Sequence, residues 1–466
     1  ATVTGTSAGG AGVSVDGNLS VANGTVKGDT VTGSGVNISG NLSTTNTTIN
    51  GNASGNGTGV SLSGNVTGDT TDKSIITGDS ASGTGVAVSG DHSVSNVTIN
   101  GATVNGTGIG VTGNLTSTGS VLNGNATGTG TGVDLAGNVT GGNINGGSAE
   151  GTGVNVSGDS TLTDVTLNGS TVNGTGVDIN ANLTSHGNTT VNGTATGTGT
   201  GIDLAGNISG GNVNGGSTEG TGVNVSGDST LNNVTLNGST VNGSGVDITG
   251  NLTNTGNTTV NGNATGTGTG IDLAGNISGG NVNGSATEGN GVNISGDNTL
   301  TDVTLNGSSN SGTGVDITGN LTNKDNTTLT GNSVSGAGVG LNGTVTGGSL
   351  TGNSVSGPGM HVTGNSTLNG VEVNTSSQSG PAMKVDGMLS TAGGTTLNGE
   401  VQKDSAEVRR QVYELQRRLS RPDTVQDAWH SSGYREQAKP VSVEICTADG
   451  QCRTLNAGET DTPQSR

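Results

Sequence analysis

The sequence predicts an all-β fold, a parallel β-helix (solenoid) of about 17 rungs followed by a small C-terminal helix plus β-hairpin module. Three observations carry that expectation. Glycine is 94 of 466 residues, about three times its usual share, while Phe is absent and there are one Trp and two Tyr. Apolar residues make up 27% of the chain, too few for the thick core of an ordinary globular enzyme of this length. The chain also repeats itself at a fixed period, which separates it from a disordered Gly/Asn/Thr tract.

The long repeat is 69 residues. A string of the form Gly-Thr-Gly-Val-Asp-Leu-Ala-Gly-Asn occurs around Val133 and returns around Ile202 and Ile271; Val154, Val223 and Val292 show the same offset. Inside it lies a shorter unit: Gly, an apolar residue, any residue, an apolar residue, then usually Gly-Asn or Gly-Asp. It starts at Val13, Val36, Val60, Val86, Ile109, Val133, Val154, Val177, Ile202, Val223, Val246, Ile271, Val292, Val315, Val339, Met360 and Met383, in steps of 21 to 26 residues.

Each unit reads as two or three short strands. Val177-Asp178-Ile179 alternates apolar and polar, Leu183 follows, and Thr189-Thr190-Val191 precedes Asn192-Gly193. Alternation is the strand signal, and Asn-Gly, Gly-Asn and Gly-Thr are read as turns. Stacked at about 4.8 Å per rung, seventeen units predict a rod of roughly 80 Å. A narrow bore needs only Val, Ile and Leu, Gly serves the corners, and Asn and Thr are expected to stack on their own kind between rungs. Met360, Met383 and Met388 mark the last rungs as different, as terminal units usually are.

Composition changes near residue 400, which divides the chain into a repeat region, 1–399, and a C-terminal region, 400–466. The first holds Lys27, Lys73, Lys324 and Lys384, no Arg, and 23 acidic residues; the second holds ten basic and eleven acidic residues, all three aromatics (Tyr413, Trp429, Tyr434) and both cysteines. The net charge of −20 argues against a nucleic-acid partner, which requires a basic stripe. No run of 18 apolar residues is present, so no helical membrane span is expected.

In the C-terminal region, Val401, Val408, Val412, Leu415 and Leu419 recur at helical steps. Asp404 three residues before Glu407 resembles a capping box, and Pro422 ends the run. Further on, Val441 to Cys446 and Cys452 to Leu455 alternate on either side of Asp449-Gly450, which reads as a hairpin. A three-residue loop, Ala448 to Gly450, places Cys446 opposite Cys452, and in a secreted chain the two are expected to bond.

No catalytic, cofactor or metal motif emerges. His92, His186, His361 and His430 fall in unrelated units and read as lone surface histidines. Asp134, Asp203 and Asp272 occupy one position of the long repeat and Asp178, Asp247 and Asp316 another. Their spacing exceeds the nine residues of calcium-binding repeats, so they read as a solvated acidic stripe. Two carboxylates on neighbouring rungs would suit sugar hydrolysis, but the long loops and basic residues of pectin-cleaving β-helices are missing. The commonest chemistry is the Asn-x-Ser/Thr triplet, roughly three dozen times, each a possible N-glycosylation acceptor; Asn18, Asn41, Asn65, Asn114, Asn138, Asn182, Asn207, Asn251, Asn276 and Asn320 recur at one place in the unit.

Stacks such as Gly176-Val177-Asp178-Ile179 with Asn182-Leu183-Thr184, and a cysteine pair near the C-terminus, resemble the filamentous-haemagglutinin-type exoproteins of bacterial two-partner secretion, in particular the high-molecular-weight adhesins. The resemblance implies a secreted or surface-anchored adhesin at the outer-membrane surface or outside the cell, with no enzymatic activity. Its implied partners are a host-cell surface glycan or protein, an outer-membrane transporter and, for some members, an N-glycosyltransferase. It also implies a tail-anchoring knot at Cys446 and Cys452. The family's N-terminal secretion domain with its Asn-Pro motifs is not found here, so the resemblance implies the C-terminal part of a longer protein. A structural stalk or toxin-delivery spacer is the alternative, and a polysaccharide-degrading β-helix a lesser one.

Overall fold

A computed structural model describes residues 1–401, 442–446 and 452–456, with side chains through 399. It is all-β, a parallel β-solenoid of about 17 turns with no helix among the described residues. Each of the seventeen apolar positions read from the sequence lies on the first strand of a turn. The chain forms two compact units, one of Ala1–Asp247 with Thr255–Thr258, the other of Ile248–Asn254 with the chain from Thr259 onward.

A turn of the first unit shows how these residues make three strands. Thr175–Ile179 is the first, Leu183–His186 the second and Thr190–Ala195 the third. The next turn repeats them as Thr200–Leu204, Ile208–Ser209 and Asn212–Ser217, all parallel. Like faces like in this register: Val177 pairs Ile202, Leu183 pairs Ile208, Asn192 pairs Asn214 and Gly193 pairs Gly215. Val177, Ile179, Leu183 and Val191 are almost wholly buried, each contributing about 1.5–3 kcal/mol by leaving water. In three turns of the second unit the first two strands merge, among them Val292–Thr301 and Val315–Lys324, which pair along their whole length.

The bend between second and third strands uses the left-handed region. Asp164 (φ 54°) and Gly187 (φ 62°) hold it in successive turns. The Asp164 carboxylate accepts the Asn188 N–H at 3.0 Å and lies where a Cβ on Gly187 would be. Glycine adopts this backbone without strain at Gly187 and leaves room for the carboxylate, while Asp164 holds the same conformation one turn earlier through a residue type that tolerates it.

One expectation is overturned wherever Asn-Gly recurs in the unit. Asn192-Gly193, read as a turn, lies in the middle of the strand Thr190–Ala195, as does Asn168-Gly169 in Thr166–Thr171. The reason is packing. The strand directs Asn outward and Gly inward, and the inward Gly abuts the first strand of the following turn. A Cβ on Gly169 would overlap the carbonyl oxygen of Gly176 and approach its carbonyl carbon to 2.6 Å; one on Gly176 would come 2.5 Å from the Thr194 nitrogen. Two columns of glycine thus let the first and third strands meet backbone against backbone. In the last turns the contact is relieved: Thr375 pairs with Gly352 in the third column, Ala382 stands at the first-strand position, and the Thr375 hydroxyl donates to the Asn398 carbonyl at 3.1 Å.

At the C-terminal end, Thr396–Val401 continues the third column, so Val401 belongs to a strand rather than opening a helix. Ser442–Cys446 adds to it in parallel, and Cys452–Asn456 adds antiparallel to that. The expected hairpin is present, with Cys446 opposite Cys452 in the backbone register. The loop at 448–450 and the helix expected beyond residue 401 lie outside the described residues.

Replacing Gly169 by Ala inserts a methyl against the Gly176 carbonyl, which cannot swing aside, and against the buried Val177 methyl, and is expected to cost about 3 kcal/mol or more. Gly147→Ala, one residue after an inward glycine but pointing outward, is expected to change stability by about 0.5 kcal/mol or less. Denaturant melts of the two variants check the pair; equal effects would refute the seam.

Candidate functional site

With the interior committed to packing, chemistry is confined to the outward side chains, which the register stacks into ladders. The sequon asparagines form one of them. In the first unit Asn41, Asn65, Asn114, Asn138, Asn182 and Asn207 stand at the bend between first and second strands, all exposed; Asn251, Asn276 and Asn320 hold the same place in the second unit. Amide bonds link neighbouring turns: Asn138 Nδ2 donates to Asn114 Oδ1 at 2.7 Å, Asn207 to Asn182 at 2.8 Å, and Asn276 to Asn251 at 2.8 Å. Asn114 and Asn320 donate instead to Asp91 and Asp297, at 2.9 and 2.8 Å. Asn41 and Asn65 accept backbone N–H bonds through Oδ1, from Asn65 at 3.0 Å and Ser93 at 2.8 Å. Nδ2 is the atom that carries an N-linked glycan, so glycosylation at Asn114, Asn138, Asn207, Asn276 or Asn320 takes one of its two N–H groups and leaves a single one for the ladder.

The two acidic sets that the sequence keeps apart share one outward column of the first strands. Asp134 accepts from Asn155 Nδ2 at 3.0 Å, Asp203 from Asn224 at 3.0 Å and Asp272 from Asn293 at 2.8 Å. Asp178 pairs directly with Asp203. Burial pushes the Asp178 carboxyl above its ordinary value, the Asn180 side chain opposes this, and the Asp203 charge adds to the rise. Asp316 is likewise raised, chiefly by burial, against a 3.2 Å bond from Asn290 Nδ2 and the nearby His361. The stripe is therefore partly buried rather than fully solvated.

In that same column of the second unit, His361 follows Gly340 and precedes Lys384. Asp386 lies 2.6 Å from Lys384 Nζ and 2.8 Å from His361 Nε2, and these two hold its carboxyl below the usual range. Among the described residues, no three His, Cys, Asp or Glu side chains converge as a metal site would need.

His92 departs from its expected surface position. It is 6% exposed and starts the second strand of its turn, where the next turn has Leu115. Its Nε2 bonds the Ser89 carbonyl, and Nδ1 is buried without a partner. Asn298 and Asn323, at inward positions of the second unit, also have Oδ1 buried without a partner. Nothing in local sequence marks these three as inward, because a polar residue in an alternating strand ordinarily reads as an outward one.

The third strands carry a ladder that fulfils the expected stacking of Asn on Asn, at a position sequence reasoning did not locate. Asn100, Asn123, Asn145, Asn168, Asn192, Asn214 and Asn237 are joined by six consecutive amide bonds of 2.8–2.9 Å; Asn261, Asn283 and Asn306 do the same in the second unit at 3.0 and 2.9 Å. The signal was available as Asn-Gly at a fixed offset from each first strand, but it was read as a turn. A shallow groove overlies the ladder in the first unit, lined by Asn123, Asn145, Gly147, Asn168, Ser170 and Thr194.

No protein-family model matches the chain, and no curated protein does. What fold and surface together define is a class, a polar-faced parallel β-solenoid whose chemistry is repeated turn by turn.

Two substitutions test these assignments. A raised carboxyl is favoured in the folded state only while protonated, so the cost of Asp178 is absent below its ordinary value of 3.8 and complete once the pH passes its folded value. Asp178→Asn is expected to stabilise the chain at pH 7 by up to about 1 kcal/mol, with the gain vanishing near pH 3; thermal melts at both pH values decide it. His92→Leu removes a buried unpaired nitrogen at a position that accepts Leu, and is expected to raise stability by about 1 kcal/mol. A lower melting temperature would show that His92 has a partner after all.

Proposed function

We propose that this chain is part of a secreted or surface-anchored bacterial adhesin, non-enzymatic, that attaches to host-cell surface glycans or proteins. The observation that carries the reading is the outward register: the same amides and hydroxyls recur on successive turns, as in the Asn100–Asn237 ladder. Repetition of one weak subsite suits attachment to a repetitive surface, where linked contacts multiply affinity. The likeness of the sequence to two-partner-secretion exoproteins supports the same reading. It adds an outer-membrane transporter as export partner, an N-glycosyltransferase acting on the sequon ladder, and an anchoring role for Cys446 and Cys452. The place of action is then the bacterial outer-membrane surface or the extracellular medium. No helix among the described residues is long and apolar enough to cross a membrane.

A second reading, a structural stalk, is favoured by the connections. Between successive strands of residues 1–401 the chain runs through short turns only, such as 69–73 or 218–222, with no inserted loop to hold a receptor pocket. Deleting residues 202–270, one 69-residue block, separates the two. The deletion joins equivalent positions and is expected to keep the solenoid intact by circular dichroism. Attachment of purified protein to host cells is expected to fall several-fold if the faces bind. Undiminished attachment would favour the stalk.

A further inference from the structure

The outward face of the third strands is free of charge through the middle of the repeat region, with Lys27, Asp29 and Asp79 in early turns and Glu372 in a late one. In the first unit, seven successive third strands, from Val97–Thr103 to Thr235–Thr240, contain no Asp, Glu, Lys, Arg or His. Five in the second unit, from Thr259–Ala264 to Ser349–Ser354, contain none either. The first strands of these turns are acidic, with Asp134, Asp178 and Asp203, and Glu150 and Glu219 lie in turns that lead into first strands. The second strands of the first unit also lack Asp, Glu, Lys and Arg, so charge leaves two faces, and the amide ladder with its groove singles out the third. In a chain of net charge −20, twelve consecutive uncharged strand faces are a feature of that face and not of the composition.

We infer that this face binds a neutral glycan chain, laid along the stacking direction over the amide ladder at Asn123 to Asn192. The inference rests on the attachment reading and names its ligand. Charge complementarity selects the class. A cationic partner is drawn to the acidic columns, and a sulfated or sialylated glycan is repelled by the whole chain. The uncharged face offers hydrogen bonds alone. Each asparagine from Asn123 to Asn192 spends one N–H and one oxygen lone pair on its neighbours, which leaves it a second N–H and lone pair for a ligand. The hydroxyls of Thr166, Ser170, Thr190 and Thr194 flank them. Sugar hydroxyls, being donors and acceptors at once, complement such a mixed row.

The groove gives the chain its seat. At the outward position where neighbouring turns have Asn125 and Ser170, this turn has Gly147, and the missing side chain opens the floor. A Cβ there would meet only side-chain ends, Asn125 Oδ1 at 3.1 Å and Ser170 Oγ at 3.5 Å, so packing does not demand a glycine. The ladder repeats at about 4.8 Å, so alternate asparagines are spaced on the scale of the two-sugar step of an extended glycan. No aromatic side chain stacks on the sugar rings, so affinity depends on the number of turns engaged.

The test is binding of the full chain to immobilised cellohexaose, chitohexaose and mannohexaose, with heparin and polysialic acid as charged comparisons. At least one neutral glycan is expected to bind, and neither charged one. Gly147→Gln, which fills the groove, and Asn168→Asp, which charges it, are each expected to weaken binding tenfold or more. Thr184→Asp, on the second strand, is expected to leave it unchanged, with melting temperatures confirming that all three fold. Should Asn168→Asp unfold, Gly147→Gln carries the test. Preference for heparin, failure of every neutral glycan, or equal loss in Thr184→Asp overturns the inference. A chain that attaches to cells yet binds no neutral glycan leaves the attachment reading standing; a chain that does neither overturns both.

Discussion

The contact on which the rest depends is the one made without side chains. Where third strands meet first strands, Gly169 faces Gly176 and Gly193 faces Gly201 so closely that a methyl on either side would enter a backbone atom. A cross-section closed this tightly at one side needs apolar volume only at the other, where Val177, Ile179, Leu183 and Val191 fill the bore. A chain with 27% apolar residues and no Phe therefore builds a dry interior, and a fifth of its residues are glycine for the same reason. The last turns show the constraint by relaxing it: with Thr375 and Ala382 in the two columns, the Thr375 hydroxyl finds a backbone acceptor within the space gained.

Because the interior repeats strictly, the exterior must repeat too, and its energetics follow from what is stacked. Neutral amides stacked in register bond one another, as from Asn100 to Asn237, and each bond also satisfies a polar group that is half withdrawn from water. Carboxylates stacked in register repel. The acidic column tempers this by alternation, Asp134 against Asn155 and Asp203 against Asn224, and where alternation lapses, at Asp178 beside Asp203, the carboxyl is pushed up. The three-turn period of the sequence thus has a physical counterpart: it sets one Asn in the column after each pair of adjacent Asp, where a one-turn period would stack carboxylates without a break.

Much of this was legible from residue types alone. The apolar position at the head of each unit located every first strand, because only an inward-facing residue recurs so regularly among varied neighbours. The third strand was harder. Asn-Gly has strong turn propensity, yet Asn192-Gly193 is extended, since a buried position without room for a Cβ and an outward position with an amide on either side outweigh that preference. The joining of the two acidic sets into one column is written in the shorter unit, where Asp134, Asn155, Asp178 and Asp203 each follow the apolar head residue; the 69-residue period alone keeps them apart. His92 was misplaced because inward polar residues obey no pattern that a single strand displays.

A surface generated by repetition has a functional consequence that an enzyme's cleft does not. Every rung of the amide ladder offers nearly the same donors and acceptors, so a ligand shifted by one turn finds an almost equivalent site. Discrimination cannot come from a unique constellation. It comes from what the whole face excludes, and from departures such as Gly147 that break the uniformity at chosen turns. Affinity likewise grows by adding rungs rather than by perfecting one. Such a surface tolerates substitution at any single rung while its function persists. It is vulnerable instead to changes in the seam beneath, which fix the spacing and register of all rungs at once.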